Sequence, residues 1–378
     1  MRYLFFCLLF ISIGSCTTST RKDVSYDSDI IELNLDEVKM EDSILASSIF
    51  ASVKPILLET TEESMICEID GIQVIDSLIF ILDKNIAKSL FIFNKDGSFI
   101  RKLGKLGNGP GEYLDISDFT IDKANEKIYT LDPGSEKINV YDLRNGRFIK
   151  QLPFKDENAS YTHIQYEENR LYVDAFFYKR MNSGPILYVL DAENGTILSK
   201  WLDIATHNCG WNESITKDES FFFCKNIGTP KYCQYFMDTI MTVNSGTVKP
   251  YLVVKSKEWV TKDIIPPFSS DEPMSEVFFK FTNQNKIVNL IYDKEDKRVR
   301  YTKRLLDDLL LNKAGWFGKA ACCDEQGVYS NIPMAVMPSF AIYLKEQSSN
   351  IKSDDIRNIA DYLNPESNPL ILYYKFKK

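Results

Sequence analysis

Ten residues, Gly104 to Tyr113 (GKLGNGPGEY), carry the types and spacing closest to a ligand-holding loop. A phosphate-cradling P-loop needs Gly, four residues, then Gly-Lys-Ser/Thr opening a helix. Gly104 and Gly109 have that separation, but Pro110 stands where the lysine belongs. A dinucleotide fingerprint needs GxGxxG; Gly107 and Gly109 begin one, and Glu112 stands at its closing position. The following text, DISDFTID, with Ile116, Phe119 and Ile121, reads as a strand. An anion would therefore find no helix N-terminus, with its dipole and free N–H groups. The loop reads as a tight connection between strands. Glu112, Asp115 and Asp118 form an oxygen-rich group of the kind that binds Ca²⁺, yet the DxDxDG spacing is missing. Tyr113 is expected to pack and Glu112 to bond local backbone, and Glu112 is kept as a candidate ligand contact.

The chain has two histidines. His163 sits in SYTHIQY, which alternates as a strand does, and reads as structural. His207 sits in ATHNCGWNES, a loop that also holds Trp211; both are candidate ligand-binding residues. Trp211 and Trp316 would suit sugar stacking, although core packing explains most aromatics. There is no CxxC and no histidine pair at ligand spacing, so no zinc site is assigned. GxSxG is absent and no Ser-His-Asp arrangement is argued. No catalytic residue, metal or cofactor is assigned.

The elements that would position these residues recur at a fixed period. LFIFNKDGSFIRKL, INVYDLRNGRFIKQL and ILYVLDAENGTILSKW each read as strand, turn, strand. Their turn glycines, Gly97, Gly146 and Gly195, are followed by Gly246 and, in a fifth unit, by Lys297. Asp-Gly, Asn-Gly and Ser-Gly supply the positive φ of a hairpin between twisted strands. A further strand precedes each hairpin, as in SLIFILD and KIYTLD. Asp83, Asp132, Asp142 and Asp191 recur with the unit and read as turn caps, because a catalytic group would be needed once. A four-stranded unit of about 50 residues is a propeller blade, whose two faces are buried by its neighbours around an axis. The expected fold is all-β: a six-bladed β-propeller of four-stranded antiparallel blades, with seven blades as the alternative count. ASVKPILLE (Ala51 to Glu59) lacks a hairpin partner and is expected to pair with the C-terminal strand NPLILYYKFKK, closing the ring. Helical insertions are expected near the C-terminus, one at DDIRNIADYLN and one at TKRLLDDLLLNKAG (Thr302 to Gly315).

The N-terminus carries an address. Arg2 precedes an apolar run, Tyr3 to Ile13, that ends in IGSC at Cys16. The run has signal-peptide length and is short for a bilayer span. The division expected is a lipoprotein signal peptide over 1–15, a flexible tether over 16–28 with lipid on Cys16, and the propeller over 29–378. Multiple acyl chains, at about 0.8 kcal/mol per buried methylene, would anchor it stably. Of the eight cysteines, Cys7 leaves with the signal. Export permits disulfides, and Cys224 with Cys233 is the best local pair; buried thiols are the default for the rest.

Three segments, GNGPGEY, DFTIDKANEKIYTLD and KINVYDLRNGRFI, resemble NHL-repeat propellers. With the lipobox, PILLET and NPLILYYKFKK, the chain resembles the six-bladed β-propeller lipoproteins of Gram-negative bacteria. That resemblance implies fold and lipid anchoring in the cell envelope, most simply the outer membrane, and no catalytic residues. With 45 basic and 53 acidic residues the net charge is -8, which argues against a nucleic-acid partner. The expected role is binding of a peptide, glycan or protein partner. The alternative is a hydrolase or lyase using the axial channel, and a third reading is a structural envelope subunit.

Overall fold

The 49-residue period becomes a set of antiparallel sheets. The computed structural model describes residues 30–154, 160–176, 184–203, 220–223, 228–234, 237, 239–255, 264–271, 276–283, 286–310, 314–315, 319–346, 351, 354–359, 362–363 and 366–377. Sheet I comprises Gly71–Ile75, Leu78–Asp83, Ser89–Asn94 and Phe99–Leu103. Sheet II comprises Asp118–Asp122, Lys127–Asp132, Lys137–Asp142 and Phe148–Pro153. Sheet III comprises Ser160–Glu167, Arg170–Phe176, Pro185–Asp191 and Ile197–Asp203. Sheet IV takes Ser220–Phe223, Lys231–Gln234, Thr239–Asn244 and Thr247–Lys255, and sheet V takes Ile264–Asp271, Glu276–Asn283, Lys286–Asp293 and Arg298–Thr302. Sheet VI takes Lys319–Asp324, Gly327–Ile332, Leu370–Phe376 and, from the other end of the chain, Phe50–Ile56.

This is an all-β propeller of four-stranded antiparallel blades, with one correction to the expected count. Five sheets are four-stranded blades, where six were expected; sheet IV has five strands and is mixed. The extra strand is Ile31–Asn34, which runs parallel to Leu252–Lys255. The sequence IELN has no turn signal of its own, and it adds to an edge already present.

Burial explains the strand compositions. Leu78–Asp83 and Lys127–Asp132 are buried at every position but the first, because sheets cover both of their faces. The outer strand Phe148–Pro153 alternates between half-buried and exposed side chains over most of its length. Apolar clusters fill the gaps between adjacent sheets, with Phe80, Leu90, Tyr113 and Phe119 between sheets I and II. Tyr129, Tyr161, Leu171 and Tyr188 fill the gap between II and III.

The hairpin between the third and fourth strands repeats its backbone. Gly97, Gly146, Gly195 and Gly246 have φ of 93°, 73°, 77° and 81°, and Lys297 takes the same role at 54°. These turns also touch the preceding sheet. A Cβ on Gly97 would lie 1.9 Å from the Leu57 carbonyl oxygen, so position 97 needs glycine for close approach as well as for φ. The repeated aspartates are caps, as expected. Buried Asp83 accepts N–H bonds from Cys67, Glu68, Ile86 and Ala87. Asp142 and Asp191 each accept from the two N–H groups that open their hairpin turns.

Inner strands present unpaired backbone toward the axis, and side chains of the neighbouring sheet satisfy it. Gln73 Nε2 donates to the Phe119 carbonyl at 2.8 Å. Asp118 accepts from Ile164 N at 2.9 Å, and Thr120 from Tyr166 N at 2.9 Å. These groups staple sheets I, II and III together.

The N-terminal segment is a strap. After Ile31–Asn34 on sheet IV, Glu41 bridges to Thr302 beside sheet V, and Ile44–Leu45 runs parallel to Leu305–Leu306. Arg300 donates to both Glu41 oxygens at 2.8 and 2.9 Å. Phe50–Ile56 then pairs antiparallel with Leu370–Phe376, the expected closure of the ring.

The helical insertion lies within sheet VI, between Ile332 and Leu370. One expected helix is found, at Asp354–Ile359. The one expected over Thr302 to Gly315 is not: Leu305–Asp307 is a strand that pairs with Ala314–Gly315. Buried Asp307 diverts it, accepting from Leu309 N, Leu310 N and the Tyr374 hydroxyl. A further helix spans Met337–Glu346, with Met337, Phe340, Ala341 and Leu344 buried along one face.

Candidate functional site

The glycine loop folds around its own glutamate. Glu112 Oε2 accepts from Gly109 N at 2.8 Å, and Lys105 Nζ lies 3.0 Å from Oε1. A Cβ on Gly107 would sit 2.1 Å from Oε2, so a side chain there would displace the carboxylate. The Gly109 N–H and then the Lys105 ammonium hold the Glu112 carboxyl below its ordinary range. Tyr113 is buried and donates to the Lys88 carbonyl at 2.8 Å. Tyr141 donates to the Gly111 carbonyl at 3.1 Å. The loop is a connection between sheets I and II, as its sequence suggests. Asp115 accepts from Ile116 N and Asp118 from Ile164 N, so the three nearby acids serve separate backbone groups. No group of three metal-ligating side chains is present among the described residues.

Cys16, His207, Trp211, Trp316 and Cys224 lie outside the described residues. His163 is on the first strand of sheet III, with Nδ1 3.1 Å from Oδ2 of buried Asp174. Asp174 also accepts from Thr162 Oγ1 and from the His163 N–H, so it organises the start of the sheet. Buried Cys233 points its thiol at the Met237 carbonyl.

The described residues that converge on one space are elsewhere. A cavity of about 850 Å³ opens where the turns between first and second strands meet. In antiparallel sheets these turns lie at the opposite ends of the first strands from the glycine loop. Sheet I contributes Val74, Ile75 and Asp76, sheet II Ile121 and Lys123, and sheet III Tyr166, Glu167 and Glu168. Gly228 and Pro230 come from sheet IV, and Asp324, Glu325 and Gln326 from sheet VI. The cavity runs outward past Lys95, Lys54 and Ile56 to Tyr329 and Tyr373, at the seam of the chain's two ends.

Its electrostatics are ordered. Lys123 Nζ pairs with Asp76 at 2.7 Å. Asp324 accepts from Tyr329 at 2.8 Å and Tyr373 at 3.2 Å, with Lys95 Nζ at 3.5 Å. Burial, then the Asp324 carboxylate, raises both phenols well above their ordinary range. Glu167 accepts from Ser245 N at 3.1 Å, and Glu168 from the Ser245 hydroxyl. Burial raises the Glu167 carboxyl, and its neighbour Glu168 adds to the effect. Tyr166 stacks on Tyr129, centroids 5.7 Å apart and planes at 9°. Such a lining can hold a polar, charged ligand over a small apolar floor. None of the cavity's polar residues was singled out in the sequence, although a signal existed: the turns VIDSL, IDKANEK, YEENR and CDEQG each carry acids at the same place in the unit.

The family described as "Domain of unknown function (DUF4934)" matches residues 29–375. The chain belongs to the DUF4934 family. Among solved structures, this DUF4934 protein is similar to a candidate exported protein of Bacteroides fragilis NCTC 9343. That match has a TM-score of 0.69 at 17% identity, over 92% of this chain and 100% of the other. A member of the DUF4221 family from Bacteroides vulgatus ATCC 8482 matches with a TM-score of 0.50 at 9% identity, over 87% and 97%. At these identities the likeness is one of fold. No curated protein matches. Of the resemblance drawn from the sequence the propeller arrangement is found; the family shown is DUF4934, and no NHL or lipoprotein family is shown. No helix among the described residues is long and apolar enough to cross a membrane.

Proposed function

We propose that this DUF4934 protein is an envelope binding module, lipid-anchored through Cys16 and most simply outer-membrane, that holds a peptide, glycan or protein partner. Its binding site is the cavity at the first turns. The observation that carries the reading is convergence: turns from sheets I, II, III, IV and VI meet around one space of about 850 Å³. Ligand sites are typically concavities of about 300–1,000 Å³ with few, fixed polar groups. Binding is favoured over hydrolysis because the lining holds no Ser, Thr, Cys or His among the described residues. Asp76 and Asp324 are paired with lysines, Glu167 and Glu168 accept from Ser245, and no nucleophile–base pair is formed among the described residues. The exported neighbour supports the envelope address.

Two measurements test this. A thermal-shift screen of oligosaccharides and short peptides against the full-length protein in detergent should yield ligands whose effect disappears in Ile75→Trp, which puts a bulky ring on the cavity floor. Ligands that stabilise wild type and Ile75→Trp alike would place binding elsewhere. Cys16→Ala should move the protein from the membrane to the soluble fraction; retention in the membrane overturns the anchor.

A further inference from the structure

Resting on the cavity as the binding site, we infer that its ligand is a basic peptide segment, with lysine or arginine side chains against the Glu167–Glu168 turn. Carboxylates on a rim are ordinarily solvated and carry no such meaning. Here they line one open cavity together, and two of its three lysines are committed to other carboxylates. Lys123 pairs with Asp76 and Lys95 lies against Asp324. Glu167, Glu168 and Glu325 form no ion pair with any described residue, and Lys54 is the one cavity lysine that forms none among the described residues. The two glutamates of sheet III are steered by neutral donors of Ser245, and Arg170 spends its Nη1 on the Glu168 carbonyl. Their charge is oriented by these donors and only partly offset, by the Arg170 charge near Glu167.

Three further features select a peptide. The floor of Val74, Ile75 and Ile121 offers apolar contact between charged sites, as alternating side chains of an extended peptide would use. Tyr166 stands beside the glutamates with one face backed by Tyr129, so a cation there meets both a carboxylate and an aromatic ring. Most polar side chains of the lining are charged, with Gln326 the single amide among the described residues, which suits a charged ligand better than a neutral one. Burial also raises Glu167, so an incoming cation would relieve a carboxylate that solvent stabilises poorly.

The test is fluorescence anisotropy on the full-length protein in detergent. The probes are a fluorescein-labelled pentapeptide alternating lysine and leucine, its glutamate-for-lysine counterpart, and maltotetraose as competitor. The lysine peptide should bind and the glutamate peptide should not. Replacing three exposed ion pairs by neutral contacts should weaken binding about tenfold in the triple variant Glu167→Gln, Glu168→Gln, Glu325→Gln. Raising salt from about 0.05 to 0.3 M should weaken it several-fold as the Debye length shrinks. Lys54→Glu should tighten it. If the glutamate peptide binds equally, or maltotetraose competes fully, or the triple variant and Lys54→Glu bind as wild type does, the basic-peptide inference is wrong. In each of those cases sensitivity to Ile75→Trp still upholds the cavity. If the lysine peptide binds Ile75→Trp undiminished, the cavity reading itself fails.

Discussion

Replacing Gly97 by alanine should be among the most damaging single-methyl additions to this protein. The added Cβ would stand 1.9 Å from the Leu57 carbonyl oxygen and 2.8 Å from its carbon. Both are backbone atoms, so no side chain can swing aside, and the chain must retreat by more than about 1 Å to restore ordinary contact. That retreat breaks the 2.8 Å bond from Glu59 N to the Gly97 carbonyl. A left-handed φ costs a non-glycine residue about 1–2 kcal/mol, and the lost hydrogen bond about 1 more. With residual crowding the expected loss is about 3–4 kcal/mol, out of a total of about 5–15 for a folded domain. Gly228→Ala is the matched control: φ is 60° and nothing lies within 4 Å of the new methyl, leaving only the backbone term. Gly195→Ala, facing the Pro153 carbonyl at 2.8 Å, and Gly146→Ala, facing the end of Arg101 at 3.2 Å, should fall between them in that order. Urea unfolding, followed by far-UV circular dichroism and tyrosine fluorescence, gives the four values. A Gly97→Ala loss within about 1 kcal/mol of that for Gly228→Ala would show that the repeat glycines serve φ alone, and would refute the close-approach argument.

Three other expectations concern the same framework. Asp83→Ala strips four N–H groups of a buried acceptor and should cost about 3–5 kcal/mol in urea unfolding, more than Asp191→Ala at an exposed turn. Lys127 and then Lys150 lower the Glu193 carboxyl from 4.5 to about 2. Its folded value lies below its unfolded one, so its contribution is present above about pH 4.5 and is lost as pH falls toward 2. Glu193→Gln should flatten stability in that window by less than about 1 kcal/mol, since the pair is largely exposed, and high salt should erase the difference. Arg300→Met removes both donors to Glu41 and should speed proteolytic cleavage within residues 35–43 without changing cleavage elsewhere; unchanged rates there would mean the strap is held by its strand pairing alone.

What the sequence made legible follows from how local each signal is. The hairpins could be read because a left-handed turn demands Gly or Asn at one position, and the ring places that turn once per unit. The closing strand could be read because ASVKPILLE (Ala51 to Glu59) had no local partner. The extra strand Ile31–Asn34 could not, because parallel addition to an existing edge needs only backbone and leaves no pattern in four residues. The leucines after Thr302 have helical spacing, but Asp307 spends its carboxylate on Leu309, Leu310 and Tyr374, a tertiary contact 67 residues distant. The glycine loop drew attention as chemistry and is architecture, since its glutamate is consumed by Gly109 and Lys105. The cavity stayed hidden because its acids are unremarkable in any one turn; they become a lining only when the ring brings five turns together.

The seam where Phe50–Ile56 meets Leu370–Phe376 also sets the order in which the molecule can be finished. The strand Phe50–Ile56 is made early and waits for Leu370–Phe376, which is made long after it. Until residue 376 has emerged, sheet VI lacks its outer edge and the ring cannot shut. Contacts so distant in the chain form slowly, and an unpaired edge in the interval invites wrong pairing. Completion of the cavity is therefore a late event, since Lys54 and Ile56 reach it from one end of the chain and Tyr373 from the other. A chain that stops before Leu370 would keep the turns of sheets I, II and III but leave the cavity open at the seam.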